Sequence, residues 1–116
     1  MAGGISIHVV DVTRGLPATG MEVEIFKVGG EKIAAGVLSH QGVLDHSVVR
    51  GENVEPGNYE VVFHIGEFYR QLGYALPNEF PFLDVVPFRF GISDVEQHYH
   101  LPLKVSPWGF SLFRGG

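Results

Sequence analysis

The chain has 116 residues, of which 45% are apolar and 18% charged, and its formal net charge is −5. This length predicts a single domain over residues 1–116, and the large apolar fraction excludes a disordered chain. The acidic balance, without a basic cluster, excludes nucleic acid as a partner because neutralising phosphates needs a basic patch. The absence of cysteine excludes disulfides and thiolate metal sites.

The first residues and the hydropathy of the chain lead to an expected compartment. Met1–Ile5 has neither a basic segment nor a long apolar run, so we expect no signal peptide. No stretch approaches 18 consecutive apolar residues, so we expect neither a membrane span nor a membrane partner. We therefore expect a cytoplasmic protein, and its apolar content favours an oligomer that buries part of its surface.

Short segments of alternating apolar and polar residues follow one another along the chain, separated by turns rich in glycine and proline. This pattern is typical of an all-β sandwich. The segment Glu67–Leu72 departs from it, because Phe68 and Leu72 stand four residues apart and predict a helix of about two turns that packs on the sandwich. In chain order, the predicted strands are Ile5–Val12, Met21–Val28, Lys32–Leu38, Val43–Val48, Asn58–Ile65, Leu83–Gly91, His98–Val105 and Gly109–Arg114.

Alternation also places three histidines on outward strand faces. His98 and His100 alternate with the inward Tyr99 and Leu101, so their Cα atoms should lie about 7 Å apart on one face. His8 lies on the outward face of the first predicted strand. Such imidazoles suit acid–base catalysis near neutral pH, metal binding or no function at all. The remaining histidines are interpreted as solvated or structural: His40, His46 and His64.

Distinctive motifs occur in a fixed order along nearly the whole chain. They are Ile7–Asp11, Arg14–Ala18, Pro56–Gly66, Pro81–Phe90, His98–Leu103 and Ser106–Ser111. Together they resemble the transthyretin-related 5-hydroxyisourate hydrolases. The resemblance implies a transthyretin (prealbumin)-like two-sheet sandwich with one short helix. It also implies a homotetramer, built as a dimer of dimers, with active sites in the channel between dimers.

The reaction implied by the resemblance opens the six-membered ring of 5-hydroxyisourate, formed by urate oxidation, at a cyclic C–N amide bond. It uses a small-molecule substrate and water, with no metal and no organic cofactor. His8, His98 and His100 match the catalytic or water-activating histidines of the family. One of them would take a proton from water, and the others would orient the substrate and protonate the leaving nitrogen.

Two segments depart from the family pattern. In the turn Gln41–Val43, valine stands where the family has an arginine that reaches the substrate. The tail Phe113–Gly116 lacks the tyrosine and serine hydroxyls of the family's Tyr-Arg-Gly-Ser ending but keeps its arginine. Loss of polar groups favours a less polar substrate, because a polar ring then lacks hydrogen-bond partners. The expected substrate-binding residues are Arg114, Val43, Phe113 and Gly116.

Four hypotheses remain open from the sequence. The first is an ordinary 5-hydroxyisourate hydrolase in which Arg114 or another group replaces the missing arginine. The second is a hydrolase of a less polar ring, such as an N-methylated hydroxyisourate or a lactam. The third is a non-catalytic small-molecule-binding protein like transthyretin, against which retention of all three histidines argues. The fourth is a zinc site formed by His8, His98 and His100.

Overall fold

Two four-stranded sheets form a sandwich in this computed structural model, which describes residues 3–76 and 78–115. The first sheet has the order β2 (Leu16–Pro17), β1 (Ile5–Asp11), β7 (Tyr99–Ser106) and β8 (Gly109–Leu112). The second has the order β4 (Lys32–Val37), β3 (Glu22–Lys27), β5 (Gly57–His64) and β6 (Val85–Ile92). The predicted all-β two-sheet sandwich is confirmed.

The inward faces of the strands form one apolar core between the sheets. Inward residues of β1, β5 and β7 are at most 6% exposed, and burying each large side chain contributes roughly 1.5–3 kcal/mol. They are Ile5, Ile7, Val9, Tyr59, Val61, Phe63, Tyr99, Leu101, Leu103 and Val105. Because side chains alternate, the residues between them in β1 and β7 are left on the outer face of the first sheet.

The helix α1 (Ile65–Gln71) follows β5 directly and begins two residues before the predicted helix. It packs on the sandwich through Ile65, Phe68 and Tyr69, which share one face of the helix. The prediction that Leu72 also packs there is wrong, since Leu72 caps the end of the helix and is 39% exposed. Among the described residues, no helix combines the length and apolar character needed to cross a membrane.

The predicted strand Val43–Val48 is wrong. Only Val43 pairs with a neighbouring strand, and a 3₁₀ turn, Ser47–Arg50, follows. Nδ1 of His46 accepts a hydrogen bond from the Val48 amide at 3.0 Å, which caps this turn. The capped turn therefore takes the place of the second half of the predicted strand. Two further strand ends differ from the prediction by two residues, since β6 begins at Val85 and β8 ends at Leu112, and the other ends of the predicted strands that form lie within one residue of the prediction.

A buried carboxylate ties the end of β1 to α1. Asp11 is fully buried, and its two oxygens accept hydrogen bonds at 2.6 Å from the Tyr69 hydroxyl and the Arg14 guanidinium. Burial alone would raise the pKa of Asp11, but the hydrogen bonds from Tyr69, Arg14 and the Thr13 amide outweigh it and lower that pKa. The carboxylate is thus ionised at neutral pH and anchors the strand that carries His8.

Candidate active site

The parallel pairing of β1 with β7 brings the three predicted histidines to one surface. The register pairs Ser6 with His100 and His8 with Pro102. Ser6, His8 and His100 therefore project from the outer face of the same sheet, and His98 lies two residues before His100 on that side. All four side chains are half-buried. The sequence could predict the faces, but the strand pairing is what assembles the group.

A chain of hydrogen bonds runs through this group. His98 Nδ1 lies 2.7 Å from the carbonyl oxygen of Gly3, and His98 Nε2 lies 2.8 Å from the Ser6 hydroxyl. The same hydroxyl lies 2.6 Å from His100 Nδ1. The sequence alone does not single out Ser6, although alternation places it on the same face as His8. A serine on an outward strand face is common, and the special feature of Ser6 is its contact with two histidines from the neighbouring strand.

The electrostatics favour a neutral His100. Its burial, followed by the charges of His8 and His98, lowers the pKa of His100 below the ordinary value of 6.5. The imidazole is therefore unprotonated at neutral pH and can accept a proton. The unfolded chain protonates this histidine at a higher pH than the folded chain, so the group removes stability as the pH falls below 6.5.

Two isolated backbone bridges bring the divergent segments beside the histidines. Val43 pairs with His8, and the pairing is supported by the bond from the Val9 amide to the Gly42 carbonyl at 2.9 Å. Gly115 pairs with His100 through an amide-to-carbonyl bond of 2.8 Å. Paired residues project to the same side of a sheet, so the isopropyl group of Val43 lies on the His8 side.

The Arg114 guanidinium donates a hydrogen bond to the backbone carbonyl of His98 at 3.3 Å but lies on the opposite side of the strand from the imidazoles. The same guanidinium lies over the ring of Tyr99, at 4.1 Å from the ring centroid, and donates to the Gln97 side chain at 2.9 Å. Tyr99 points into the sandwich, so Arg114 borders a cavity of about 440 Å³ between the edges of the sheets, away from the histidine face. Phe113 is half-exposed. The predicted contact of Gly116 lies outside the described residues.

Hydrogen bonds already engage several of the ring nitrogens that a zinc site at the three histidines would need. Both ring nitrogens of His98 and one of His100 already take part in hydrogen bonds. Within residues 3–76 and 78–115, the one group that gathers three possible metal ligands within 4.8 Å lies elsewhere, at Glu22, Glu24 and His64. There the Lys32 ammonium lies 3.0 Å from the Glu24 carboxylate, and His64 contacts its other oxygen at 2.8 Å.

Residues 5–115 match the model of the HIUase/Transthyretin family. The chain belongs to this family. A 5-hydroxyisourate hydrolase of Pseudomonas aeruginosa is 41% identical to it over 116 residues, which cover 97% of this chain and 91% of the relative. Another, from Halalkalibacterium halodurans, is 38% identical over 119 residues, 99% of each chain. The resemblance drawn from the sequence motifs is thereby confirmed.

Solved structures place the fold in the same family. An (S)-allantoin synthase superposes with a TM-score of 0.86 at 34% identity, over 98% of this chain and 44% of that one. The 5-hydroxyisourate hydrolase of Klebsiella pneumoniae superposes with a TM-score of 0.82 at 25% identity, over 98% of this chain and 99% of that one. Sea bream transthyretin in complex with thyroxine also superposes with a TM-score of 0.82, over 96% of this chain and 93% of that one. At 23% identity, this similarity shows only a shared fold. Together with the hydrolase relatives, these findings make the chain a hydrolase with a transthyretin-like fold.

Proposed function

We propose that this family member hydrolyses 5-hydroxyisourate, or a close analogue of lower polarity, with a water molecule activated by a histidine. The observation that carries the proposal is the assembly of His8, His98 and His100 on one sheet face by the pairing of β1 with β7. The relatives named 5-hydroxyisourate hydrolase support the substrate class. A protein that only binds a small molecule would not need a neutral, proton-accepting His100 in this group.

In the proposed mechanism, His100 acts as the base. A water oxygen adds to the carbonyl carbon of the cyclic amide while its proton passes to Nε2 of His100. The C–N bond then breaks, and the leaving nitrogen takes a proton from His8 in its protonated form. Water is added across the bond, and solvent exchange restores both imidazoles to their starting states. His98 orients the group through its bond to Ser6.

The decisive experiment measures the decay of freshly prepared 5-hydroxyisourate and of N-methylated analogues by ultraviolet absorbance, with and without the protein. Acceleration of any of these substrates above spontaneous decay supports the hydrolase proposal, and their relative kcat/KM identifies the preferred ring. If none is accelerated while the protein binds them with an affinity that His98→Ala leaves unchanged, the binding-protein alternative replaces the proposal.

Replacing Val43 with arginine should shift specificity toward the more polar ring. A guanidinium at this position beside His8 would hydrogen-bond ring oxygens that valine cannot. The ratio of kcat/KM for 5-hydroxyisourate to that for an N-methylated analogue should rise about tenfold to hundredfold, as expected for a charged hydrogen bond of about 1.5–3 kcal/mol. Val37→Arg, at an exposed position on β4, is the control. An unchanged ratio in Val43→Arg would remove Val43 from the substrate site.

Gly115→Ala should impair catalysis much more than folding. A Cβ atom at this position would lie 2.8 Å from Cδ2 of His100, so the imidazole must shift. A displacement of about 1 Å in a reacting group can cost about a hundredfold in rate, and we expect a kcat about 10- to 100-fold lower. Gly109→Ala is the matched control, because its Cβ would meet no atom within 4 Å. Steady-state kinetics and thermal melting check both variants. Wild-type kcat in Gly115→Ala would mean that the tail leaves His100 during turnover.

We also propose that the chain assembles as a homotetramer, a dimer of dimers, in the cytoplasm. Large aromatic side chains stand exposed near the helix and the turn between β7 and β8: Phe80 is 99% exposed, Trp108 75% and Phe82 73%. Exposed aromatic groups of this size favour burial against another chain. Analytical ultracentrifugation should give four times the chain mass of 12.7 kDa. The double variant Phe80→Ser/Trp108→Ser should sediment as a smaller species; a monomeric wild type would overturn the assembly. Cell fractionation tests the compartment.

A further inference from the structure

The hydroxyl of Ser6 lies between two imidazoles that approach it from the same neighbouring strand. We infer that Ser6 is a positioning residue that holds His98 and His100 in one defined pair of tautomers and leaves Nε2 of His100 unprotonated. The inference rests on the proposed function in one respect, the role of His100 as the base. The tautomers themselves follow from the hydrogen bonds alone.

Gly3 determines where His98 carries its proton. Its carbonyl oxygen, 2.7 Å from His98 Nδ1, can only accept a hydrogen bond, so Nδ1 of His98 must carry a proton. In a neutral His98, Nε2 is then a bare acceptor. Among residues 3–76 and 78–115, the hydrogen-bond partner of this nitrogen is the Ser6 hydroxyl at 2.8 Å, which therefore donates its proton to His98.

The second step concerns His100. Ser6 has one hydroxyl proton, which it donates to Nε2 of His98. The contact of 2.6 Å between Ser6 Oγ and His100 Nδ1 must then be donated by the imidazole, so Nδ1 of His100 is protonated. A neutral imidazole holds one ring proton, which leaves Nε2 of His100 with a free lone pair. The lowered pKa of His100 keeps it in this neutral form at neutral pH.

This arrangement suits a base. When Nε2 of His100 takes a proton from water, Nδ1–H keeps its bond to Ser6, and no hydrogen bond in the chain has to reverse. The other tautomer of His100 would carry its proton on Nε2 and could not accept one there. Without Ser6, nothing in the chain Gly3–His98–Ser6–His100 would select between the two tautomers of His100.

The tautomers can be measured directly by NMR on wild-type protein labelled with ¹⁵N-histidine. Above the titration of the imidazoles, His98 and His100 should both show a protonated Nδ1 and an unprotonated Nε2. His100→Gln and His98→Gln variants assign the signals. In Ser6→Ala, the His100 signal should move toward the averaged position of exchanging tautomers. A wild-type His100 with its proton on Nε2 would overturn the inference.

Kinetics provide the second readout. Ser6→Ala should lower kcat about 10- to 100-fold with KM changed by less than about threefold, part of the factor of about 10²–10⁴ that a positioned base contributes. Ser6→Thr keeps the hydroxyl and should return kcat to within about threefold of wild type. Ser93→Ala, at an exposed serine beyond β6, is the control for loss of a hydroxyl. Wild-type kcat in a folded Ser6→Ala would overturn the inference.

The two arms separate this inference from the proposed function. If the wild-type protein fails to accelerate hydrolysis but NMR shows the expected tautomers, the proposed function fails and the positioning by Ser6 stands. If hydrolysis is fast but Ser6→Ala changes neither tautomer nor kcat, the function stands and the inference fails. Should Ser6→Ala not fold, the wild-type NMR measurement alone decides the tautomers, and Ser6→Thr tests whether the hydroxyl suffices.

Discussion

His100→Gln should lower kcat about 10²- to 10⁴-fold, the contribution typical of a positioned acid–base group. Glutamine is similar in size and can occupy the pairing position beside Gly115, but its amide cannot take a proton from water. KM should change little, since the backbone of β7 and the neighbouring histidines remain in place. The measurement is steady-state hydrolysis of whichever ring the wild type prefers.

The control for this variant is His40→Gln, which removes an exposed imidazole that is not one of the three site histidines and should leave kcat unchanged. The pH profile gives a further test. Because the pKa of His100 is lowered in the free protein, wild-type kcat/KM should fall in acid with a midpoint below pH 6.5, and this acid limb should be absent from the residual activity of His100→Gln. An acid limb with an unchanged midpoint in the variant would show that another group is the base.

Asp11→Ala should destabilise the fold by about 1.5–3 kcal/mol, the range for losing hydrogen bonds to a charged group. The substitution leaves the Tyr69 hydroxyl without its 2.6 Å acceptor and the Arg14 guanidinium without its buried counter-charge. Urea denaturation at pH 7, followed by circular dichroism, measures the free energy of unfolding. Asp45→Ala, an exposed carboxylate, should change it by less than about 0.5 kcal/mol.

A loss below about 1 kcal/mol in Asp11→Ala would mean that the hydrogen bonds of Asp11 contribute little beyond the cost of burying its charge.

The stability that Asp11 contributes should also depend on pH. Since the pKa of Asp11 is lowered in the folded chain, its stabilisation is present above the ordinary pKa of 3.8 and is lost as the pH falls through the folded value. The difference between wild type and Asp11→Ala should therefore shrink in strong acid.

Alternation in the sequence predicted the faces of β1, β5 and β7 correctly, because their inward residues are continuous apolar sets with period two. That was enough to place His8, His98 and His100 on outward faces. It could not show that β1 and β7 are parallel neighbours, since their residues are about 90 positions apart in the chain and the pairing depends on the whole topology. Ser6 stayed hidden for the same reason.

The errors have local causes. The segment Val43–Val48 has apolar residues typical of a strand, yet the imidazole of His46 caps the turn that follows and ends the extended run. Leu72 fits the helical spacing but falls at the last turn, where the chain already leaves the sandwich. The direction of the Arg114 side chain is a separate matter that the sequence could not predict, because it depends on a tertiary contact with Tyr99.

The bridge between Gly115 and His100 has a consequence for redesign. Neighbouring residues of an extended tail point to opposite sides, so a tail that places Gly115 beside His100 necessarily turns Arg114 toward Tyr99. A point substitution cannot exchange the two sides. Inserting or deleting one residue after Leu112 would exchange them, because every following side chain would then point to the opposite side. Whether the tail has an odd or an even number of residues thus decides which side of the first sheet its guanidinium faces.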